Sequence, residues 1–321
     1  MTEKPLSVAV IGAGSHSRQC HGPALRLAFS RHPRLCHLSA VCDIDVGRAQ
    51  AYAAEFGFHR VYGSVTEMLR SEPIDAILAI TPITVTCEVV SKLLPLRIPT
   101  LIEKPAGATL AEARRLLTLA ERFRTPHMVS FNRRFSPAFA RLRQWLATHG
   151  KDRPPLFIEG KMVRHHRREP DFIEGTAIHA VDAIISICGR PVRASARTVS
   201  GGRGYIIDVS FSFPQQRGGR LLIAPDSGVI SETYEIAGDR YLISANVSAP
   251  SVHIFDSRSR VLSWRAARTS PSCVRDGTYD ETLAFLKMAR GQPAAGPDLK
   301  DALAAMEVCA SLARQAGKKE C

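Results

Sequence analysis

The chain has 321 residues, of which 45% are hydrophobic, and it carries a formal net charge of +13. This length is enough for two hydrophobic cores, and no apolar stretch reaches the roughly 18 residues that a transmembrane helix needs. The positive charge is spread as single arginines, without a basic stripe interleaved with aromatic residues, so neither a nucleic-acid nor a membrane partner is predicted. The chain begins without a secretory layout, which predicts a cytoplasmic protein.

The first 133 residues alternate between strand and helix patterns. Short β-branched runs predict the strands, and these are SVAVIG, CHLSAVCDID, RVYG, IDAILAIT, PTLIEKP and PHMVSFNRRF. Segments with helical spacing lie between them, and one of these, GRAQAYAAEFG, is closed by Gly57. Near-continuous apolar strands separated by helices indicate a doubly wound α/β domain with a parallel sheet covered on both faces.

The pattern changes after about residue 134. SPAFARLRQWLATHG predicts a helix, PLFIEGKMVRHH an alternating strand, and TAIHAVDAIISICG a second helix. Several two-periodic segments follow between Val192 and Ser263, with turns at QQRGG and AGD, and the chain ends in helical segments. Residues 134–321 are therefore predicted to form an α+β domain with a large, mostly antiparallel open sheet.

A glycine-rich turn follows the first predicted strand. Gly12 suits the tight turn, and Gly14 allows a pyrophosphate to approach the backbone at a helix start, whereas the third position of the dinucleotide fingerprint is Ser17. An ordinary turn remains an alternative on this motif alone. Asp43 ends the second strand, where a carboxylate can accept hydrogen bonds from the adenosine ribose. The same carboxylate would repel the 2′-phosphate of NADP, so NAD is favoured. Arg48 is close enough in sequence to pair with that phosphate, so NADP stays an alternative.

Several motifs together resemble the Gfo/Idh/MocA oxidoreductases, the family of glucose–fructose oxidoreductase and inositol dehydrogenase. They occur in the family's order and spacing: VIGAGSHSRQCHGPAL, AVCDID, the threonine–proline turn, IEKP, FNRRFSP and IHAVD. The resemblance runs through most of the chain. It implies a Rossmann dinucleotide-binding domain over residues 1–133 and a substrate-binding and oligomerisation domain over 134–321.

The resemblance also implies the catalytic residues. Lys104 of the EKP motif would contact the reacting hydroxyl and the nicotinamide ribose, where an ammonium stabilises a developing alkoxide. His179 would be the general acid–base, because a histidine titrates near neutral pH. Asp182 lies three residues further along the same helix and would orient the imidazole on the substrate side. The alternatives are a lysine at a strand end and a histidine satisfied in a core.

The remaining site residues are also implied by the resemblance. The cofactor contacts are Gly12, Gly14, Ser15, His16, Asp43, Thr81, Pro82, Glu103, Lys104 and Arg133. Asn132 would lie on the substrate side. Two positions depart from the family: Gly175 replaces an aspartate that often precedes the histidine by four residues, and Thr86 replaces a histidine after the threonine–proline turn. On a regular helix Glu174 would point about 140° away from His179.

The densest basic run follows the first strand of the second domain, from Arg164 to Glu169, and includes Arg167 and Arg168. Arg164 is a candidate to grip a carboxylate or phosphate on the substrate, and a solvated basic loop is the alternative. His165 and His166 would point to opposite faces of a strand, so they are not expected to share a metal ion. The eight cysteines form no CxxC pair, and no metal site is predicted.

The predicted function is an NAD(P)-dependent oxidoreductase that transfers a hydride between a nicotinamide cofactor and a sugar, a polyol or an anionic sugar derivative. The open sheet is expected to pair subunits into a homodimer or homotetramer, as in resembling proteins. Two alternatives stay open. One is a glycosidase or lyase that retains NAD and uses transient oxidation, and the other is a non-catalytic dinucleotide-binding regulator.

Overall fold

The computed structural model describes residues 4–167, 169–201, 204–257 and 259–317. These residues form two compact units. One unit runs to Phe131 and includes Ser272–Val274 and Thr278–Leu303. The other comprises Asn132–Pro271, Arg275–Gly277 and the chain from Ala304 onward. The segment Thr278–Leu303 therefore packs with the first unit, although it follows most of the second unit along the chain.

A parallel six-stranded sheet forms the centre of the first unit. Its strands are β1 Leu6–Ile11, β2 Cys36–Cys42, β3 Arg60–Tyr62, β4 Ala76–Ala79, β5 Thr100–Ile102 and β6 His127–Val129. All neighbours pair in parallel, in the order β3-β2-β1-β4-β5-β6. The chain reverses its direction of sheet growth between β1 and β4, and ligands of such sheets bind outside the carboxyl ends of the strands at this point.

Helices connect these strands in sequence. They are α1 Gly22–Arg31, α2 Val46–Phe56, α3 Val65–Ser71, α4 Ile83–Leu93 and α5 Leu110–Phe123. Side-chain caps begin several of them; for example, the Asp45 carboxylate accepts a hydrogen bond from the Arg48 amide. The predicted stop at Gly57 is present, with a left-handed φ of 88°. The fold class predicted for this part of the chain is confirmed.

An eight-stranded sheet forms the centre of the second unit. Its strands are β7 Pro155–Val163, β8 Arg193–Gly201, β9 Gly204–Phe213, β10 Arg217–Ala224, β11 Ser231–Gly238, β12 Tyr241–Asn246, β13 Ser251–Asp256 and β14 Ser259–Arg265. The order is β14-β13-β12-β11-β7-β10-β9-β8. Only the β7–β10 pair is parallel among the described strand pairs of this sheet. The prediction of a large, mostly antiparallel sheet is confirmed.

The remaining helices include the one that carries the predicted catalytic histidine. They are α6 Pro137–His149, α7 Ile178–Cys188, α8 Ser272–Arg275, α9 Thr278–Ala289 and α10 Leu299–Ala316. One face of the large sheet is buried, with Ile158, Tyr234 and Ile254 among its residues. No helix among the described residues is both long enough and apolar enough to cross a membrane.

Candidate cofactor and catalytic site

The turn after β1 requires glycine at its first position. Gly12 has a φ of 101°, and a Cβ built there would lie 2.0 Å from the backbone oxygen of Ile80. The Gly12 amide donates a hydrogen bond to Cys42 O at 2.8 Å, and the Ile80 amide donates one to Ile11 O at 2.8 Å. The turn is therefore held between the ends of β2 and β4, at the reversal point of the sheet.

A helical segment starts directly after Gly14. The Gly14 carbonyl accepts a hydrogen bond from the Arg18 amide at 3.0 Å, and Ser15 and His16 are exposed in the first turn. A Cβ at Gly14 would meet no atom of the described residues within 4 Å. The backbone at Gly14 is thus open, as the predicted approach of a pyrophosphate to a helix N-terminus requires.

The third position of the glycine fingerprint has a different structural role. The Ser17 side chain is buried, and its hydroxyl lies 3.1 Å from the Tyr52 hydroxyl of α2. Close helix packing instead occurs at Gly22, where a Cβ would lie 2.5 Å from the ring of Phe56. Sequence reasoning missed Gly22, although a glycine directly after His21 was a visible signal.

The predicted ribose ligand Asp43 also organises the glycine turn. Its Oδ2 accepts a hydrogen bond from the Ala13 amide at 2.8 Å. Its Oδ1 accepts from the Asp45 amide at 2.9 Å and from Arg48 Nη2 at 3.1 Å. A carboxylate offers about four acceptor positions, so these three bonds leave capacity for a further donor. Arg48, the residue that kept NADP open, is held by this carboxylate.

The threonine–proline turn lies at the carboxyl end of β4. Pro82 precedes α4, and the hydroxyl of Thr86 donates a hydrogen bond to Pro82 O at 3.0 Å. The same hydroxyl lies 3.0 Å from the Thr81 hydroxyl. Thr86, which replaces the histidine often found at this position in the family, is buried. Its hydroxyl closes the threonine–proline turn through these two contacts.

Glu103, the residue before the predicted catalytic lysine, is buried against two histidines. Its Oε2 lies 3.2 Å from His21 Nε2 and 3.5 Å from His16 Nε2. Burial opposes ionisation of Glu103, but the hydrogen bonds and charges of His16 and His21 outweigh it and hold the pKa of this carboxyl well below its usual range. Hydrogen bonds to the Cys20 sulfur and to Glu103 raise the pKa of His16 to about 10, although partial burial opposes this.

Lys104 follows directly after β5 and the buried Glu103. Its side chain is half-buried, the peptide bond to Pro105 is cis, and Pro105 and Ala106 are buried. The carboxyl ends of parallel strands share one edge of a sheet. That edge therefore carries Lys104 together with the Gly12 turn, Asp43 and the Thr81 turn. Sequence reasoning did not find that His21 and Glu103 are partners, since 82 residues separate them.

In the second unit, the carboxylate of Glu232 binds two predicted site residues, Arg133 and Arg164. Glu232 is buried, and it accepts hydrogen bonds from Arg133 Nε at 3.2 Å and from Arg164 Nη2 at 2.5 Å. The hydroxyl of Tyr234 donates to it at 3.0 Å. Burial opposes its ionisation, but both guanidinium groups keep the pKa of Glu232 below its usual range. Asn132 accepts a hydrogen bond from Arg133 at 3.2 Å.

Asp182, predicted to orient the catalytic histidine, is fully buried on α7. Its two oxygens accept hydrogen bonds from Arg134 Nε at 2.9 Å and Nη2 at 2.6 Å. This bidentate ion pair anchors α7 to the segment after residue 131. The half-buried His179 lies one turn earlier on the same helix, so the pair determines where the histidine is held.

The segment before His179 is not a regular α-helix, although the expected angle of 140° between Glu174 and His179 assumes one. Residues Ile173–Ala177 form a π-helical turn that leads into α7. Hydrogen bonds in a π-helix connect residues five apart, so the angle of a regular helix does not apply between Glu174 and His179. At Gly175, a Cβ would lie 3.4 Å from Asp171 Oδ2, which is ordinary contact.

The basic run does not continue the strand as predicted. Strand β7 ends at Val163, and the next residues form a loop because Arg164 turns toward Glu232 and His166 adopts a left-handed φ of 54°. The rings of His165 and His166 consequently lie on one side, with centroids 3.8 Å apart, instead of on opposite faces. Arg168 lies outside the described residues.

The first unit matches a known family. Residues 6–131 match the model of the Gfo/Idh/MocA oxidoreductase family, described as its NAD-binding Rossmann fold. Residues 6–131 are therefore similar to the nucleotide-binding domain of this oxidoreductase family. The resemblance found in the sequence motifs is thereby confirmed, and the match covers the edge where the Gly12 turn, Asp43 and Lys104 lie.

Relatives and solved structures extend this likeness. The chain is 31% identical over 162 residues to inositol 2-dehydrogenase of Leifsonia xyli, covering 48% of this chain and 47% of that protein. It spans about half the length of the curated relatives it matches. A dehydrogenase from Chromobacterium violaceum has the same fold, with a TM-score of 0.86, 18% identity, and coverage of 98% of this chain and 96% of that one. Levoglucosan dehydrogenase, solved with NADH, gives a TM-score of 0.84 at 16% identity, with coverage of 98% and 97%.

Proposed function

We propose that the protein is an NAD(P)-dependent dehydrogenase or reductase that acts on a CH–OH group of a sugar, a polyol or an anionic sugar derivative. One observation carries this proposal. The segment that matches the NAD-binding family model contains the open glycine turn, Asp43 and the Glu103–Lys104 strand end on a single sheet edge. Relatives named as inositol and levoglucosan dehydrogenases support a sugar-type substrate.

NAD is the proposed cofactor, and Asp43 is the reason for preferring it over NADP. Its carboxylate would accept ribose hydroxyl hydrogen bonds and repel a 2′-phosphate. The open backbone at Gly14 and the exposed first-turn residues Ser15 and His16 would hold the pyrophosphate. Thr81 and Pro82 would line the same site at the next strand end.

In the proposed chemistry Lys104 and His179 handle the substrate hydroxyl. A bound nicotinamide would supply the hydride acceptor for the substrate carbon, or the hydride donor in the reverse direction. Lys104 stabilises the negative charge that develops on the hydroxyl oxygen, and His179 takes its proton. Acid–base assistance of this kind is typically worth about 10²–10⁴-fold in rate. The Arg134–Asp182 pair supports this role because it holds the helix of His179.

The proposed contacts of Arg164 and Asn132 with the substrate, and of Arg133 with the cofactor, have an energetic cost. The guanidinium groups of both arginines already bind Glu232, so an anionic substrate would have to share or replace these bonds. Breaking a buried ion pair costs about 3–5 kcal/mol. A sugar hydroxyl could instead hydrogen-bond to the network while both ion pairs stay intact. The network therefore favours a neutral sugar or polyol over an anion at this position.

Self-association through the large sheet is part of the proposal. Three exposed apolar side chains lie in one row across the sheet: Phe157 on β7, Leu242 on β12 and Phe255 on β13. Ala237 of β11 pairs with both Phe157 and Leu242, and Leu242 pairs with Phe255. Such a row on an open sheet face is suited to pairing with a second copy in a homodimer or homotetramer. Light scattering of Leu242→Glu beside the unsubstituted protein tests it, and an unchanged oligomeric mass would contradict it.

The experiment for the proposed function combines cofactor binding with turnover. NADH and NADPH are titrated by fluorescence into the unsubstituted protein, Gly14→Ala and Lys104→Met. Gly14→Ala should fold normally and bind NADH more weakly, because its new methyl group would meet the pyrophosphate but no atom of the described residues within 4 Å. Gly228→Ala is the matched control, since its Cβ also meets no atom of the described residues within 4 Å.

Turnover is then measured by nicotinamide absorbance with sugars, polyols, sugar acids and nucleotide sugars. The expected result is activity in the unsubstituted protein that Lys104→Met loses while it still binds NADH. Unchanged NADH binding in Gly14→Ala would refute the proposed cofactor site. Binding without turnover on the whole panel would refute the dehydrogenase assignment and favour a retained-cofactor enzyme or a regulator.

A further inference from the structure

A pair of loops lies at one edge of the large sheet. Strands β7 and β10 run in parallel, with Val163 opposite Ala224, so their carboxyl ends lie side by side. The following loops are joined by backbone hydrogen bonds of 2.8 Å, from the Arg164 amide to Ala224 O and from the Ser227 amide to Arg164 O. Neighbouring carboxyl ends of parallel strands are where sheets commonly place binding residues.

Three side chains with metal-binding atoms meet on these loops. His165 and His166 come from the first loop, and Asp226 comes from the second. One ring nitrogen of each histidine and one carboxylate oxygen all lie within 4.8 Å of one another. Ligands that each lie about 2.0–2.2 Å from a shared ion are separated by distances of this order, so small side-chain rotations would complete the site.

Hydrogen bonds hold the side chains of His165 and Asp226 in place. His165 Nδ1 lies 2.7 Å from Ser227 O, and donation to this carbonyl leaves Nε2 as the nitrogen with a free electron pair. The Asp226 carboxylate accepts a hydrogen bond from the His166 amide at 3.0 Å, and its Oδ1 lies 3.7 Å from His166 Nδ1. Metal-binding histidines and carboxylates characteristically have such supporting bonds.

Two neighbouring arginines among the described residues are paired with carboxylates. Arg164 donates to Glu232 at 2.5 Å, and Arg167 Nε donates to Glu169 at 2.7 Å. Their charges therefore oppose a cation less than the sequence run suggests. The side chain of His166 is 74% exposed, which leaves the cluster open to an ion from solution.

We propose that His165, His166 and Asp226 bind a transition-metal ion of the Zn²⁺ class. Two imidazoles with one carboxylate favour zinc, nickel or copper over magnesium and calcium, which prefer oxygen ligands. Three protein ligands leave at least one coordination position for water or a small anion. These ligands are different residues from those of the Gly12–Lys104 sheet edge, and the metal-site proposal does not depend on the proposed function.

The test uses the full chain without an affinity tag. Zn²⁺ binding is measured by calorimetry, and Co²⁺ is used as a coloured probe whose absorption reports the ligand geometry. The variants are His166→Asn, which tolerates the left-handed backbone, and Asp226→Asn. One control is His253→Ala, on strand β13. The other is His16→Ala, because His16, His21 and Glu103 are the other group of described residues whose ligand atoms lie close enough to hold a metal ion.

The expected result is one Zn²⁺ per chain, with affinity reduced at least about tenfold in both site variants and unchanged in both controls. The proposal is overturned if the unsubstituted protein binds no Zn²⁺, if both site variants bind normally, or if binding is lost only in His16→Ala. Circular dichroism melting of each variant confirms that a lost site is not a lost fold.

Discussion

Replacing Gly12 with alanine should strongly destabilise the first unit, and the structure allows the size of the effect to be worked out. The residue has a φ of 101°, a region that alanine occupies only with strain. Strain of this kind costs about 1–3 kcal/mol. The new Cβ would also lie 2.0 Å from Ile80 O and 2.8 Å from Ile80 C, far inside van der Waals contact with backbone that cannot rotate away.

Forcing an extra carbon into such a position costs typically about 1–3 kcal/mol more, so the total loss is about 2–6 kcal/mol. Gly57→Ala is the matched control because Gly57 also has a left-handed φ, at 88°, but its Cβ would meet no atom of the described residues within 4 Å. Both substitutions reduce the entropy of the unfolded chain equally. The difference between the two variants therefore isolates the overlap with Ile80.

Urea unfolding followed by circular dichroism gives the free energy of unfolding of both variants. We expect Gly12→Ala to be less stable than Gly57→Ala by about 1–3 kcal/mol. It should also bind NADH more weakly, because relief of the overlap moves the turn that the Ala13–Asp43 hydrogen bond holds. Equal stability of the two variants would show that the turn is not packed against Ile80 as described.

Other substitutions test the charged groups. Arg48→Gln removes ion pairs made by an arginine side chain that is 52% exposed, so the free energy of unfolding in urea should change by less than about 1 kcal/mol; a large loss would contradict this exposure. His16 has a pKa raised by hydrogen bonds to a thiol and a carboxylate. Its stabilising effect is complete below the unfolded pKa of about 6.5 and is lost as the pH rises through the folded pKa. Stability should therefore decrease between neutral and alkaline pH more steeply in the unsubstituted protein than in His16→Gln, and parallel curves would refute this. Asp182→Asn breaks the buried ion pair with Arg134 and should lower the free energy of unfolding in urea by about 3–5 kcal/mol. Asp256→Asn breaks a more exposed ion pair with Arg153 and should cost less. A larger loss in Asp256→Asn than in Asp182→Asn would contradict the burial of Asp182.

Much of the fold follows from local patterns in the sequence. Periodicity, glycine stops and turn residues are local properties, so they predicted the alternating elements of the first unit and the helix end at Gly57. The glycine turn and the IEKP strand end were likewise visible, since each occupies a few consecutive residues. Their positions on one sheet edge follow once the strands are parallel, because parallel strands share their carboxyl ends.

Local exceptions were harder to predict because their causes lie elsewhere in the structure. The π-helical turn at Ile173–Ala177 leads into α7, and no local pattern in the sequence distinguishes it from a regular helix. The early end of β7 and the left-handed backbone of His166 depend on Glu232 and on the loop after β10. A strand pattern that continues through both histidines contains no sign of these contacts.

The sequence by itself determined the type and order of most elements and the chemistry available at the strand ends. Tertiary structure decided which charged groups are partners. His21 and Glu103 are 82 residues apart, and Arg133 and Glu232 are 99 apart, so no local spacing connects them. Strand order and register bring such groups together, and burial then requires each charge to find a partner because an isolated buried charge is too costly.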